Sequence, residues 1–489
     1  MKHFLLFLII PFISLSQVQI GQDIDGEAAN DSSGSSISLN AIGNIIAIGA
    51  TNNDGNGNFS GHVRIYENQS GNWMQIGQDI DGEVADDRSG RSVSLSSDGG
   101  IVAIGANFND ANGSEAGHVR VYENIADNWI QLGQDIDGEA LGDLSGQSIS
   151  LNSTGNIIAI GAPHNDENGA NSGHVRIFEY VSNNWLQIGS DIDGVGTNDQ
   201  SGFSVSLNST GNIIAIGAPY NDGNGNGSGH VRVYENIAGN WTQIGNDIEG
   251  EIAGDQIGYD IELNGLGDII AIGTAPKFAI GIDSGISRIY KFQNNNWVKV
   301  GSDIIGETIN DESGSAISLS SDGNIVAIGA YRNDGNGTDS GHVRVLQNIN
   351  DNWIQIGNDI DGESADDISG SNVSLSSDGT TLAVGAQLND GNGNNSGHVR
   401  VFDISGITLS TTKQSLPSIS LVPNPTQDSF TISLSNAIQL QKVVIYNSLG
   451  QLVSTYNTST ISVANFNTGV YYISIHTNKG ISKHKLIKR

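Results

Sequence analysis

A nine-residue phrase recurs along the chain at a constant spacing. It reads QIGQDIDGE at its first two occurrences and returns five more times as close variants, and every interval is 56 residues long, without insertion or deletion. The phrase starts at Gln19, Gln75, Gln131, Gln187, Gln243, Lys299 and Gln355. A strict period of this size is typical of a solenoid, a propeller or an array, in which each unit buries its apolar surface against its neighbours. The repeat therefore limits the chain to a fold that stacks one unit many times.

Each repeat contains four strand-like runs separated by Gly, Asn and Asp. In residues 201–250 these runs are SVSLN, which alternates small polar and apolar residues, IIAIGA, which is apolar, HVRVYE, which alternates again, and WTQIGNDI, which is the most polar. We label them strands A to D. A continuous apolar run suits a strand covered on both faces, and a polar run suits an exposed edge. The order predicts a wedge-shaped, four-stranded blade of a β-propeller.

The two ends of the repeat region complement each other. Strands A, B and C occur seven times, and the last set ends at Asp403 with no strand D after it, whereas a spare strand D occupies residues 18–24. Pairing of this strand with the last blade would close a ring and remove two open edges, whereas an open solenoid would need atypical capping repeats. We therefore predict an all-β fold in which residues 17–404 form a seven-bladed propeller.

Six tryptophans occupy the same position at the start of strand D. We predict that they pack between neighbouring blades rather than form an aromatic platform for a ligand. They are Trp73, Trp129, Trp185, Trp241, Trp297 and Trp353.

Composition excludes several classes of function. Asp and Glu number 53 against 21 Lys and Arg, and the resulting formal charge of −32 would repel nucleic acid and anionic membrane surfaces. The chain has no cysteine, so it can form neither a disulfide framework nor a thiolate metal site. Cations, neutral glycans and other proteins are the partners that remain.

The N-terminus has the layout of a secretory signal peptide. Lys2 precedes an apolar run over residues 4–13, and small residues follow at Ser14 and Ser16, so we expect cleavage before Gln17 and a signal peptide over residues 1–16. A membrane anchor is the alternative, but it would need about 20 apolar residues. We expect no transmembrane segment elsewhere.

The phrases SGFSVSL, IIAIGAP and SGHVRVYE resemble FG-GAP repeats, which form seven-bladed propellers in integrin α chains and in many bacterial surface proteins. The resemblance extends from about residue 18 to residue 403. The integrin repeats carry a calcium loop of the D-x-D-x-D-G type between strands A and B, but the link here is only NSTGN or SSDGN, so that site is not carried over. SSDGTTLAVGA, from Ser376, is also similar to WD-type repeats, although no Trp-Asp pair ends strand C.

The link between strands B and C carries NDGNG in four repeats and NDANG or NDENG in two others. In an up-and-down blade it shares a face with the acidic D-to-A links, such as DGEVADDRSG. A tight turn explains the motif, because Asn-Gly and Asp-Gly favour positive φ. A calcium site is the second interpretation, although it would need oxygens from a neighbouring loop, and direct ligand contact is the third. The candidate cation ligands are Asp54, Asp110, Asp166, Asp222, Asp334 and Asp390.

Two further features of the repeats concern candidate sites. The motif GHVR places one histidine in each of six blades, which favours packing or a hydrogen bond between blades over a metal ring. These residues are His62, His118, His174, His230, His342 and His398. The fifth repeat has Lys277 and Phe278 where the others have Asn-Asp, and Ile286 in place of the histidine. Lys277 and Phe278 are candidate binding residues, and drift of one blade is the alternative explanation.

We find no asymmetric catalytic constellation. Catalysis needs unlike groups brought together, whereas near-identical blades offer the same groups seven times. We therefore predict a non-catalytic adhesion or recognition protein whose acidic face binds a glycan or a protein. One alternative is a polysaccharide-degrading enzyme with its pocket at the propeller axis, which would need non-repeated carboxylates about 5 to 10 Å apart. The other alternative is a structural surface-layer component.

Composition changes after the predicted linker over residues 405–417. The runs DSFTISLS, KVVIYNSLGQLVSTY and GVYYISIHT predict a small β-sandwich over residues 418–489. LVPNPTQDSFTISL, VVIYNSLGQLV, GVYYISI and the terminal KHKLIKR resemble the type A C-terminal sorting domain of the type IX secretion system of Bacteroidota. The resemblance implies export across the outer membrane by that machinery, followed by removal of this domain and either attachment to surface lipopolysaccharide or release. An ordinary adhesion sandwich is the alternative.

Overall fold

The computed structural model describes residues 17–274, 284–407, 420–433, 440–447, 452–477 and 480–489. The chain divides into two compact units, Met1–Thr408 and Leu409–Arg489. The predicted signal peptide and most of the predicted linker lie outside the described residues. Across the described ranges no helical segment has the length and apolar character that crossing a bilayer requires.

The first unit consists of seven antiparallel sheets, one for each repeat, and this confirms the predicted seven-bladed propeller. We number the blades 1 to 7 in the order of their A strands. Each sheet has the order A-B-C-D, and strand D divides into two short strands that both pair with strand C.

The A strands are Ser33–Leu39, Ser92–Leu95, Ser148–Leu151, Ser204–Leu207, Ile261–Leu263, Ala316–Leu319 and Asn372–Leu375. The B strands are Ile45–Ala50, Ile101–Ala106, Ile157–Ala162, Ile213–Ala218, Ile269–Gly273, Ile325–Ala330 and Thr381–Ala386. The C strands are His62–Asn68, His118–Asn124, His174–Val181, His230–Ile237, Ile286–Gln293, His342–Asn348 and His398–Asp403.

The first halves of the D strands are Trp73–Gln75, Trp129–Gln131, Asn184–Gln187, Asn240–Gln243, Asn296–Lys299, Trp353–Gln355 and, for blade 7, Val18–Gln19. The second halves are Ile80–Asp81, Ile136–Asp137, Ile192–Asp193, Ile248–Glu249, Ile304–Ile305, Ile360–Asp361 and, for blade 7, Ile24–Asp25.

Strand B is apolar because both of its faces are covered by neighbouring blades. In blade 1 Ala47 presents a small side chain to blade 2, where Val102 and Ile104 fill the space, and all three side chains are buried. The same contact of a small residue with larger ones recurs between blades 2 and 3, where Ala103 meets Ile158 and Ile160. The core therefore lies between blades, as expected for stacked units.

Tryptophan side chains pack between blades, as predicted. Trp129 Nε1 donates a hydrogen bond to Ile76 O of the preceding blade at 2.9 Å, close to the break in strand D. Gly77 at this break has φ +77°, and a Cβ atom there would lie 2.7 Å from Trp129 Cδ1. Each of the six tryptophans donates to the backbone of the preceding blade in this way.

The ring closes through the N-terminal strand. Val18 pairs with Asp403 and Ile24 pairs with Val399, both in antiparallel register, so the first described residues complete blade 7. Ile24 is buried in a cluster that includes Val399 and Val401. Closure thus combines backbone pairing with a shared apolar core.

The second unit is a small sandwich of a three-stranded and a four-stranded sheet. Phe430 from the first sheet and Val443 and Ile473 from the second are buried in one cluster. The strands are Ser420–Val422, Ser429–Ser433, Leu440–Tyr446, Leu452–Tyr456, Thr460–Ser462, Gly469–Thr477 and Gly480–Lys488.

Candidate binding site at the mouth of the central channel

The seven A strands surround a central channel and are joined by a ring of hydrogen bonds. In six of the seven contacts a serine hydroxyl oxygen accepts from the backbone N–H of a leucine in the next blade, and these serines are Ser38, Ser94, Ser150, Ser206, Ser318 and Ser374. Blade 5 has Glu262 at this position, and its Oε2 accepts from Leu319 N at 2.8 Å. One carboxylate therefore interrupts a ring of hydroxyls.

The channel widens at both ends. A cavity of about 410 Å³ is lined by the beginnings of the A strands and by residues that follow the B strands, so it opens on the face with the B-to-C and D-to-A loops. A cavity of about 190 Å³ lies at the opposite end and is lined by the ends of the A strands. The larger one, which we call the channel mouth, has the size of a small-ligand pocket.

One column of the repeat makes the channel mouth asymmetric. The residue after the glycine at the start of strand A lines the mouth in every blade. It is serine in blades 1, 6 and 7, but it is a large side chain in blades 2 to 5. Taken in blade order, the column reads Ser35, Arg91, Gln147, Phe203, Tyr259, Ser315 and Ser371.

Phe203, Tyr220 and Tyr259 form an aromatic patch on one side of the channel mouth. The ring centroids of Phe203 and Tyr259 are 4.9 Å apart, and the ring of Tyr220 meets Phe203 edge-on at 6.3 Å. Tyr220, which follows strand B of blade 4, is 36% exposed. Burial, with a smaller contribution from Tyr220, raises the pKa of Tyr259, so its phenol is neutral at physiological pH. Rings arranged in this way offer apolar area together with hydroxyl groups.

The mouth also carries fixed polar groups. Gln147 Oε1 accepts hydrogen bonds from Arg91 Nε at 3.2 Å and from Asn107 Nδ2 at 2.8 Å. In blade 6 the Tyr331 hydroxyl donates to the Glu312 carboxylate. Burial and this hydrogen bond raise the pKa of Tyr331. The patch is therefore flanked by hydrogen-bonding groups in fixed orientations.

Two non-repeated carboxylates of blade 5, Asp260 just before strand A and Glu262 within it, project into the channel. Asp260 lines the channel mouth, and Glu262 lines the smaller cavity. Asp260 Oδ2 accepts from Ile317 N at 2.7 Å. Desolvation raises the pKa of Asp260 to about 6 and that of Glu262 to about 8. Glu262 is therefore mostly protonated at neutral pH, as a general acid would be.

The geometry of these carboxylates limits what they can do together. Residues i and i+2 of a strand lie on one face about 6 to 7 Å apart. That separation suits an inverting glycosidase, but the acid and the base of such an enzyme flank the scissile bond from two sides. Asp260 and Glu262 instead project from the same wall of the channel, one above the other.

The NDGNG loops form turns that attach to the neighbouring D-to-A link. Asp54 Oδ1 accepts a hydrogen bond from Phe59 N at 2.9 Å, which caps the loop. Asn56 Nδ2 donates to Gly82 O at 2.8 Å and to Glu83 O at 2.9 Å. These carbonyls, which were the expected additional ligands of a cation, are thus occupied by an amide. The same cap recurs at Asp110, Asp166, Asp222, Asp334 and Asp390.

The structure does not test every predicted site residue. Lys277 and Phe278 lie outside the described residues, and the cation-binding role of the six loop aspartates stays a prediction. Sequence reasoning missed Phe203, Tyr259 and Asp260. Reading the seven repeats in register at the start of strand A would have found them, because the residue after the repeated glycine changes from blade to blade and the next residue, serine in blades 1 to 4, is Asp260 in blade 5.

Comparison with known proteins identifies the second unit. Residues 420–489 match the family model described as "Secretion system C-terminal sorting domain". These residues are a type IX secretion system C-terminal sorting domain. The protein is accordingly exported by that system to the cell surface or the extracellular space, and its sorting domain interacts with the secretion machinery.

Two further comparisons concern relatives of known name. A segment of 82 residues is 42% identical to "Ulvan lyase NLR42" of Nonlabens ulvanivorans, and it covers 16% of this chain and 15% of that protein. The chain thus spans only a small part of that relative. The crystal structure of RRP9 WD40 repeats superposes with a TM-score of 0.50 at 12% identity, over 79% of this chain and 99% of that one. This similarity supports the propeller fold alone.

Proposed function

We propose that this exported propeller is a recognition protein that binds a neutral glycan at the channel mouth. The aromatic patch of Phe203, Tyr220 and Tyr259 beside the mouth carries the proposal, because it is the place where a repetitive scaffold becomes asymmetric. Ligand sites combine aromatic area with a few fixed polar groups, and Gln147 and Tyr331 supply such groups here.

The charge of the surrounding face supports a neutral ligand. The D-to-A links that flank the mouth carry repeated Asp and Glu, and the formal charge of the chain is −32. An anionic polymer would be repelled as it approached this face. A neutral sugar is not repelled in this way, and it can stack on the aromatic patch and form a hydrogen bond with the amide of Gln147.

Glycan-array binding by the full chain, with calcium and with a chelator, tests the proposal. The strongest neutral ligand is then titrated against Phe203→Ala and Tyr259→Ala, and both variants should bind at least about ten-fold more weakly, or about 1.4 kcal/mol. Ser35→Ala and Ser371→Ala are matched controls in the same column and should bind as the parent does. Parental affinity in both aromatic variants would rule out this site, and equal binding with calcium and chelator would exclude a cation bridge.

A hydrolase is the second candidate, and the raised pKa of Glu262, about 8 because of burial, favours it, since a general acid must be protonated. Asp260, on the same wall of the channel, would be the second carboxylate. Release of reducing ends from a bound glycan, abolished by Asp260→Asn and by Glu262→Gln with binding retained, would support an enzyme. Absence of product from every glycan that binds would leave the recognition role.

A further inference from the structure

A buried histidine faces carboxylates at several places around the ring, and none of these residues lines the channel mouth. In blade 3 His174, at the start of strand C, is 1% exposed. Its Nδ1 lies 3.9 Å from Glu139 Oε2, in the preceding D-to-A link, and 3.8 Å from Asp191 Oδ2, between the two halves of strand D. Glu167 joins this group, and one ligand atom from each of the four residues lies within 4.8 Å of the others.

Related groups recur around the ring. Two of them include a glutamate from the preceding D-to-A link, as in blade 3: Glu27, His62 and Asp79; and Glu83, His118 and Asp135. The other two draw all three residues from strands C and D of one blade: His230, Asp247 and Glu249; and Asp23, Asp25 and His398. We call all of these groups the boundary clusters.

The histidines of the boundary clusters lack the hydrogen bonds that their burial demands. Neither ring nitrogen of His118, His174 or His398 has a hydrogen-bond partner among the described residues. Distances of 3.8 to 3.9 Å from Nδ1 to a carboxylate oxygen are too long for a hydrogen bond. A buried polar group without a partner is rare and points to a missing one.

A metal ion would supply the missing partner. An imidazole nitrogen beside two carboxylate oxygens is a ligand set for such an ion.

Blade 5 shows what occupies this place when the histidine is absent. Ile286 replaces the histidine, and Lys299 replaces the glutamine found at that position in the other blades. Lys299 Nζ lies 2.7 Å from Asp303 Oδ1 and 3.2 Å from Glu251 Oε1, the counterparts of Asp191 and Glu139. Arg288 also lies 3.2 Å from Asp303 Oδ2 and 3.6 Å from Glu251 Oε2. Two cationic side chains thus neutralise the carboxylate pair in the blade that lacks the nitrogen ligand.

We propose that the boundary clusters bind divalent transition-metal cations, which Lys299 replaces in blade 5. Zn²⁺ binds imidazole nitrogen and carboxylate oxygen at about 2.0 to 2.2 Å, so two ligand atoms 3.8 to 3.9 Å apart can share one ion. Calcium is the weaker fit because it prefers oxygen ligands alone. In the three clusters that include a glutamate of the D-to-A link, the ion would join that link to strands C and D of the following blade and so act as a clamp between blades.

Metal content of the purified full chain tests the proposal. The chain is stripped with chelator, loaded separately with Zn²⁺, Mn²⁺ and Ca²⁺, desalted and analysed by mass spectrometry. We expect Zn²⁺ or Mn²⁺ to be retained at more than one ion per chain, with Ca²⁺ retained less. Retention of less than one ion of either transition metal would overturn the proposal.

Matched variants locate the ions. His174→Ala and Glu139→Gln should each lower the retained Zn²⁺ by one ion per chain, whereas Ile286→Ala, at the equivalent position of blade 5, should leave it unchanged. Glu139 is partly exposed, so its variant decides the matter if His174→Ala fails to fold. Parental metal content in Glu139→Gln, or an equal loss in Ile286→Ala, would contradict the assignment.

Discussion

Glu262 accepts the backbone hydrogen bond of Leu319 at 2.8 Å, in a ring where six other blades use a serine hydroxyl. The carboxyl group is desolvated by the A strands around it, which raises its pKa to about 8 from an ordinary 4.5. A hydroxyl makes the same bond without a charge to desolvate. The Glu262 carboxylate thus lowers the stability of blade 5 and places a titratable group inside the channel.

Replacing this carboxylate should change how stability depends on pH. The folded state binds a proton at Glu262 below about pH 8, whereas the unfolded state releases it above about pH 4.5, so the parent loses stability as pH rises through that window. Glu262→Ser should remove this loss and be more stable above pH 8 by about 1 kcal/mol or more. Denaturant unfolding from pH 4 to pH 9 measures the difference. A constant difference between parent and variant would contradict the raised pKa.

Because the N-terminal strand closes the ring, truncating a buried side chain in that strand should strongly destabilise the propeller. Ile24 is buried between Val399 and Val401, so Ile24→Ala should lower the free energy of unfolding by about 2 to 5 kcal/mol. Val18, in the same strand, is 60% exposed, and Val18→Ala should change it by less than about 0.5 kcal/mol. Equal effects in the two variants, measured by urea unfolding, would show that this strand does not close the ring.

The loop aspartates can be tested for a turn role against a cation role. Asp54 accepts from Phe59 N through Oδ1, and an asparagine amide oxygen accepts the same bond. The free energy of unfolding of Asp54→Asn should therefore lie within about 0.5 kcal/mol of that of the parent, with or without calcium. That of Asp54→Ala should be lower by about 1 kcal/mol. Thermal melts in calcium and in chelator check this. A calcium-dependent stabilisation of the parent that Asp54→Asn abolishes would establish a cation site instead.

The tryptophan contacts predict a similar loss of stability at each blade boundary when the indole N–H is removed. Trp185 is buried and donates through Nε1 to Leu132 O at 2.8 Å. Trp185→Phe keeps a ring but leaves that carbonyl without its donor, so it should destabilise by about 1 to 3 kcal/mol. Leu186→Ala, at the exposed neighbour, is the control and should be nearly neutral. Chemical unfolding of both variants would settle whether the indole hydrogen bond matters.

The sequence by itself determined the architecture of this protein. The 56-residue period, the four runs in each unit and the spare strand over residues 18–24 specify seven blades and their closure, because strand periodicity and edge pairing are local properties repeated many times. The motifs of residues 420–489 specified the sorting domain in the same way.

The tertiary structure decided where the chemistry lies. Phe203 and Tyr259 are 56 positions apart in the sequence, and His174 and Glu139 are 35 positions apart, yet each pair meets because the loops and strand starts of adjacent blades converge. Such contacts depend on how one blade is placed against the next, which a repeat pattern does not encode. For the same reason the sequence did not show that five of the six repeated histidines lie 3.8 to 4.0 Å from carboxylate oxygens.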